Sequence, residues 1–302
     1  MDREYEEEPI VTPERTKNIL KKYNIEARRS LGQNFLTDRD VLASIVSAAD
    51  LDPCDRVVEI GPGIGALTEA LLEEMSGGRL LAVEKDERLA GILASELAGS
   101  SCLEIIEADA LELNWDGLLP EKNFAVNGYK LLANLPYYIT SPLIRLFLEM
   151  EYSPEMMVLM VQKEVAARIA ASPGGKEYGV LSIAVQYYCY PEIIDFVPAA
   201  AFQPQPDVDS AVIRLNLSGE PRYDVKDEKL FFGLVRAMFQ QRRKMLRNSL
   251  SGAAELDLSK KTVKRALKRA DIDERLRGEK LSLAEIARLS DELHNILNGN
   301  GD

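Results

Sequence analysis

Short apolar runs alternate with stretches of helical periodicity over the first two thirds of the chain. RVVEIG (56–61), RLLAVE (79–84), LEIIEAD (103–109), YKLLANL (129–135) and MMVLMVQ (156–162) are six or seven residues each and largely hydrophobic. Runs of that kind predict strands buried on both faces. Between them, residues 64–75, 86–97, a stretch opened by Ser141-Pro142 and 163–171 carry helical spacing. The alternation predicts βαβ units, hence an α/β fold with a mostly parallel sheet covered on both faces. After Tyr178 one more helical stretch precedes EIIDFVP (192–198) and SAVIRLNL (210–217), two runs placed to pair antiparallel at the sheet edge.

Gly219-Glu220-Pro221 interrupts this pattern, and only helical periodicity follows, over 230–250, 260–270 and 282–297. A boundary near 220 is expected. It leaves an acidic, disordered arm at 1–11, a cofactor-binding domain at 12–220 and a small all-α domain at 221–302. Thr12-Pro13 supplies an N-cap and a first helical residue for a short helix to about Tyr23. EARRSLGQNFL (26–36) has no periodicity and predicts a loop. Thr37 is the expected cap of the next helix, with Asp40 three residues on.

Composition narrows the chemistry. Hydrophobic residues at 46% exclude disorder as the main state, and three scattered cysteines exclude a disulfide scaffold and predict reduced thiols. No apolar stretch is long enough to span a bilayer, and acidic residues stand where an export signal needs positive charge; a cytoplasmic protein is expected. A single histidine, His294, leaves no room for a His-based triad or zinc site, and no metal is expected. The net charge of −12 argues against a nucleic-acid partner until it is divided. Residues 226–280 hold 16 Lys and Arg against 8 Asp and Glu, so this segment is basic while the remainder is strongly acidic. Such a split points to a charged partner bound by one part only, or to solvated helix faces.

The first long apolar run leads into Glu59-Ile60-Gly61-Pro62-Gly63-Ile64-Gly65. Glycines there allow positive φ and close approach of a ligand to the backbone, at the carboxyl edge of the strands where open α/β sheets bind ligands. No Gly-Lys-Ser/Thr follows, which excludes a P-loop. The second run ends in Glu84, about 20 residues on, where a carboxylate accepts ribose hydroxyls. The third ends in Asp109, a partner for an adenine amino group. Three ligand-type features on successive strand ends predict an adenosine-containing cofactor. Without a basic residue beside a helix N-terminus for a pyrophosphate, S-adenosylmethionine fits better than NAD.

The fourth run ends in Asn134-Leu135-Pro136-Tyr137-Tyr138. The amine of adenine is conjugated with its ring and is a poor nucleophile. Two acceptors aimed at its hydrogens, the Asn134 side-chain oxygen and the backbone carbonyl of Leu135 or Pro136, draw the nitrogen toward tetrahedral geometry. Pro136 stiffens the turn, and Tyr137 stacks on the base. The methylated nitrogen becomes acidic enough to lose its proton to water, so no histidine is required.

With these residues together, the chain resembles the KsgA/RsmA type of small-subunit rRNA adenine dimethyltransferase over about residues 28–297. Gly32-Gln33-Asn34-Phe35-Leu36, EIGPGIGALT from Glu59, Glu84, Asp109, Asn134-Leu135-Pro136-Tyr137, Gln162-Lys163-Glu164, Phe202, Val208-Asp209-Ser210-Ala211-Val212 and FQQRRKMLRNSL from Phe239 carry the resemblance. It implies a Rossmann-like class I methyltransferase sheet. It implies cofactor contacts at Asn34, Leu36, Gly61, Glu84, Asp109 and Asn134, and an aromatic, Phe202, facing Tyr137 across the base. The implied partner is 16S rRNA within the small ribosomal subunit, dimethylated at N6 of two adjacent adenosines in its 3′-terminal hairpin loop, with a role in subunit biogenesis. The chain departs from the pattern at Asp207, where many relatives carry lysine, and in its acidic N-terminal arm. Arg242, Arg243, Lys244 and Arg247 fall in one expected helical stretch and resemble the family's RNA-facing helix; 260–269 is a second basic candidate. Arg28 and Arg29 are expected near the mouth of the site. A monomer is expected. An Erm-type enzyme acting on 23S rRNA and an assembly factor without catalysis are the alternatives.

Overall fold

The computed structural model describes residues 8–28, 32–217 and 219–299. Its strands are β1 (Phe35–Leu36), β2 (Arg56–Ile60), β3 (Arg79–Glu84), β4 (Leu103–Glu107), β5 (Lys130–Asn134), β6 (Met156–Gln162), β7 (Cys189–Val197), β8 (Phe202–Gln203) and β9 (Ser210–Leu217). The helices of the first two thirds are α1 (Pro13–Lys22), α2 (Arg39–Ala48), α3 (Ala66–Glu74), α4 (Glu87–Glu96), α5 (Trp115–Glu121), α6 (Thr140–Glu149), α7 (Lys163–Ile169) and α8 (Val180–Tyr188). The remainder forms α9 (Glu228–Gln240), α10 (Leu246–Ser251), α11 (Lys260–Arg269) and α12 (Leu283–Leu297).

Seven strands form one sheet in the order β4-β3-β2-β5-β6-β9-β7. The first five are parallel, and β9 runs antiparallel to β6. Val57, Val58, Leu80, Leu81, Leu131, Leu132, Met157 and Val158 are fully buried, which is why those runs lack a polar alternation. The strand order reverses beside β2, and the crevice outside the carboxyl ends of β2 and β5 is where such sheets take their ligands.

The chain divides into two compact units. One comprises residues up to Ala166 together with Tyr190–Gly219; the other comprises Ala167–Cys189 and residues from Glu220 on. The helical unit thus includes α8, which the sequence pattern grouped with the sheet. Tyr187 explains the grouping: its ring stacks on Phe231 at 4.9 Å, within a core that also holds Leu234, Met238, Leu246 and Leu289.

Several local expectations are corrected. Ile10 and Val11, grouped with the disordered arm, are buried, and the Ile10 N–H donates to Glu69 at 2.7 Å; residues 1–7 lie outside the described residues. Asp38, not Thr37, caps α2, accepting from the N–H groups of Asp40 and Val41. The end of the expected 26–36 loop is β1, which pairs with β8 in the register Leu36↔Phe202. Helix α5 was not foreseen because it is short and contains Pro120. The expected 230–250 helix stops at Gln240 and restarts at Leu246. Arg242 is the physical reason. Its guanidinium donates to the carbonyls of Lys176 at 2.6 Å and Tyr178 at 3.1 Å and pairs with Glu279 at 2.7 Å. Those partners outweigh the weak local preference for helix.

Candidate active site

A cleft of about 1150 Å³, including its open mouth, lies at the carboxyl edge of the sheet. Asn34, Leu36, Gly61, Glu84, Asp109, Asn134, Leu135, Tyr137 and Phe202 all line it, although they come from six segments of chain. Its floor is the turn after β2. Gly61, Gly63 and Gly65 have φ of 68°, 62° and 100°, values that side chains rarely tolerate. A Cβ on Gly63 would lie 3.4 Å from the Phe35 ring, an ordinary contact, so it is the positive φ that asks for glycine there.

Glu84 ends β3 and is 7% exposed. Its Oε2 accepts the Gly63 N–H at 3.0 Å and its Oε1 accepts the Asp86 N–H at 2.8 Å. Burial raises this carboxyl above its ordinary range, and the two backbone donors offset part of the shift. Each oxygen keeps a lone pair for a ligand hydroxyl. Asp109 accepts the Leu111 N–H at 2.9 Å and pairs with Lys85, whose ammonium holds the Asp109 carboxyl below its ordinary range.

Two acids here were not singled out from the sequence. Glu59 lies within β2, is 1% exposed and lines the cleft; its Oε2 has no hydrogen-bond partner among the described residues. Burial raises the Glu59 carboxyl to about 8, and the charge of Glu84 adds to the shift. A lone acid in an otherwise apolar strand was the available signal. Asp86 accepts from Gln33 at 3.0 Å and from Arg88 at 2.7 Å, and the Arg88 guanidinium holds the Asp86 carboxyl at about 2. It thereby ties the Gln33-Asn34 loop to the start of α4.

The turn after β5 is built for acceptors. The Asn134 Nδ2 donates to the Asn34 carbonyl at 3.4 Å, and Asn134 Oδ1 has no donor among the described residues; Asn134 lines the cleft. The Pro136 carbonyl is taken by the Ile139 N–H at 3.1 Å. The Tyr137 hydroxyl shares a hydrogen bond of 2.9 Å with Ser210, and burial raises its pKa, so the ring stays neutral. Phe202, on β8, is 5% exposed and reaches the same cleft.

The basic residues divide. Arg242 is consumed by its structural partners, and Arg247 pairs with Glu274 at 3.0 Å. Arg243 and Lys244 are exposed in the turn between α9 and α10 and have no ion pair among the described residues. The four therefore do not lie in one helical stretch as expected. Helix α11 buries Val263, Ala266 and Leu267 and carries Lys260, Lys261, Lys264 and Lys268 elsewhere on its surface. Arg28 is exposed and lies 3.9 Å from Asp86; Arg29 falls outside the described residues. No helix among the described residues is long and apolar enough to cross a membrane.

Comparison with known proteins agrees with this geometry. The family Ribosomal RNA adenine dimethylase matches residues 24–295. The chain is 47% identical to the ribosomal RNA small subunit methyltransferase A of Halothermothrix orenii, covering 94% of each chain. It is 48% identical to the protein of that name from Pelotomaculum thermopropionicum, covering 93% of this chain and 96% of that one. Among solved structures, a dimethyladenosine transferase from Plasmodium falciparum superposes with a TM-score of 0.73 at 25% identity, covering 87% of this chain and 98% of that one. The 23S rRNA methyltransferase ErmE gives a TM-score of 0.66 at 26% identity, covering 86% and 100%. The family match spans most of the chain and the fold superposes on solved methyltransferases, so this chain is a methyltransferase of the ribosomal RNA adenine dimethylase family.

Proposed function

We propose that this chain uses S-adenosylmethionine to dimethylate N6 of two adjacent adenosines in the 3′-terminal hairpin loop of 16S rRNA within the small ribosomal subunit. The observation that carries the reading is the meeting of Asn134 and Glu84 on one cleft: the Asn134 amide nitrogen donates to Asn34, and its oxygen has no donor among the described residues. The cofactor fits the residues present. Positive-φ glycines leave its backbone approach open, Glu84 keeps acceptors for ribose hydroxyls, and the unpartnered Glu59 oxygen offers a buried hydrogen-bonding position to a polar group of the ligand. Asn34, Leu36, Gly61, Glu84, Asp109 and Asn134 would hold it, and when bound it supplies an electrophilic methyl group on a sulfonium.

The chain's own residues do the rest. Asn134 Oδ1 and the Leu135 carbonyl accept the two amine hydrogens; the Pro136 carbonyl already accepts from Ile139, which makes Leu135 the less committed of the two. Pulling on both hydrogens turns the nitrogen lone pair out of conjugation and toward the methyl donor. Tyr137 and Phe202 stack on the two faces of a base taken out of its strand. After transfer the cationic nitrogen releases a proton to water. Arg243, Lys244, the lysines of α11 and Arg28 meet phosphates. Small-subunit specificity is favoured over an Erm-type reading by the 47% identity to the small-subunit enzyme against 26% to ErmE.

The test is direct. Incubating the protein with labelled S-adenosylmethionine and unmethylated small subunits should place four methyl groups on two neighbouring adenosines. Transfer to 23S rRNA offered in a parallel reaction, with none to the small subunits, supports the Erm-type reading. Subunit binding without transfer supports an assembly factor.

A further inference from the structure

Two runs that carry the family resemblance, Gln162-Lys163-Glu164 and Val208-Asp209-Ser210, meet beside the site, and only Ser210 has had a part in it so far. Lys163 is the first residue past β6 and Asp209 the last before β9, and the Lys163 N–H donates to the Asp209 carbonyl at 3.0 Å. Ser210, next to Asp209, holds the Tyr137 hydroxyl at 2.9 Å. The Asp209 carboxylate accepts the Ala199 N–H at 3.1 Å and lies 3.8 Å from the Lys163 ammonium. That ammonium sits 5.2 Å from the centre of the Phe196 ring. A continuous chain of contacts therefore runs from Tyr137 to Phe196 along one edge of the sheet.

Phe196 itself is anomalous. It is 55% exposed on β7, the outermost strand, where an apolar ring gains nothing from burial. The Lys163–Asp209 pair is half exposed on both sides, and exposed pairs of this kind hold their partners weakly. Lys163 can therefore turn to another anion at the expense of only this pair and its contact with the Phe196 ring. An exposed ring next to a lysine is the arrangement that takes an unpaired nucleotide, base on ring and phosphate on ammonium.

We propose that Phe196 and Lys163 form a second nucleotide shelf, which stacks a base flanking the target adenosine and meets its phosphate. The proposal rests on the reading of the cleft as an rRNA base-methylating site and names a further part of that substrate. Its role is to fix the register of the strand against the Tyr137 pocket, so it acts on RNA binding and not on the transfer step.

Phe196→Ala, Phe196→Tyr and Lys163→Gln are compared with the parent on unmethylated small subunits, with S-adenosylmethionine as methyl donor. Loss of one base stack should raise KM for the subunit about 5- to 100-fold in Phe196→Ala. Turnover and cofactor affinity by calorimetry should stay within twofold, because neither residue lines the cleft. Phe196→Tyr, which keeps the ring, should restore the parent KM. Lys163→Gln should reduce the salt dependence of subunit binding by about one phosphate contact. An active parent whose Phe196→Ala variant keeps the parent KM overturns the shelf alone. A parent that transfers no methyl to small subunits overturns the proposed function, and the shelf with it.

Discussion

Glu84 accepts the backbone N–H of Gly63 at 3.0 Å, so the acid that ends β3 also fixes the glycine turn that ends β2. The residue assigned to ribose hydroxyls is held in place by the loop that cradles the same ligand. Replacing Glu84 by Ala removes both functions at once. Loss of two hydrogen bonds to a charged group, each about 1.5–3 kcal/mol, should weaken cofactor binding by two orders of magnitude or more. Saturating cofactor should restore much of the rate. Unchanged affinity in calorimetry would remove Glu84 from the binding site.

Asn134 acts at a different point. Asn134→Ala should lower turnover about 100-fold or more, the usual effect of deleting one preorganised polar partner of the reacting group. Affinity for the small subunit should stay near that of the parent. Turnover close to the parent rate would exclude the amide from activation of the amine.

Glu59 gives the fold a pH dependence. Burial raises its carboxyl to about 8, whereas in the unfolded chain it titrates near 4.5. Between those values the folded state keeps a proton that the unfolded state has lost, so the contribution of this group falls as pH rises from 4.5 to 8 and is constant above. Glu59→Gln, which keeps the shape and cannot ionise, should remove that slope. The urea midpoint of the variant should gain on the parent progressively from pH 6 to pH 8. A constant difference across that range would mean that Glu59 is ionised throughout.

The strands and the cleft were legible for one reason each. Strands such as β5 and β6 are buried on both faces, so their apolar runs stand out. The cleft residues stand at the carboxyl ends of successive parallel strands, where their spacing from the glycine turn already suggests a ligand. What stayed hidden depends on partners distant in sequence. The break at 241–245 follows from carbonyls at 176 and 178 that capture Arg242. Ile10 and Val11 are two apolar residues after an acidic run, and only the Glu69 carboxylate and the core around α3 show why they are anchored.

Arg242 and Arg243 are adjacent and should respond in opposite ways. Arg242 spans an acid and two backbone carbonyls at 2.6–3.1 Å, so Arg242→Ala should destabilise the helical unit by about 1–3 kcal/mol, read as a lower urea midpoint. Arg243 is exposed and makes no ion pair among the described residues, so Arg243→Glu should change stability by less than about 0.5 kcal/mol. Its effect should appear on RNA instead. Each phosphate contact releases counterions and adds roughly 0.7–0.9 to the slope of log affinity against log salt. Arg243→Glu should therefore lower affinity for the small subunit at low salt and flatten that slope by about one contact. Cofactor affinity should not change, since Arg243 is not among the cleft residues. Measuring parent and variant at three salt concentrations separates a phosphate contact from a solvated turn. Superimposable salt lines would remove Arg243 from the RNA surface and transfer the role to Lys260, Lys261, Lys264 and Lys268 on α11. The chain's net charge of −12 sharpens the comparison, because its acidic remainder opposes RNA at every salt concentration and cannot supply the lost attraction.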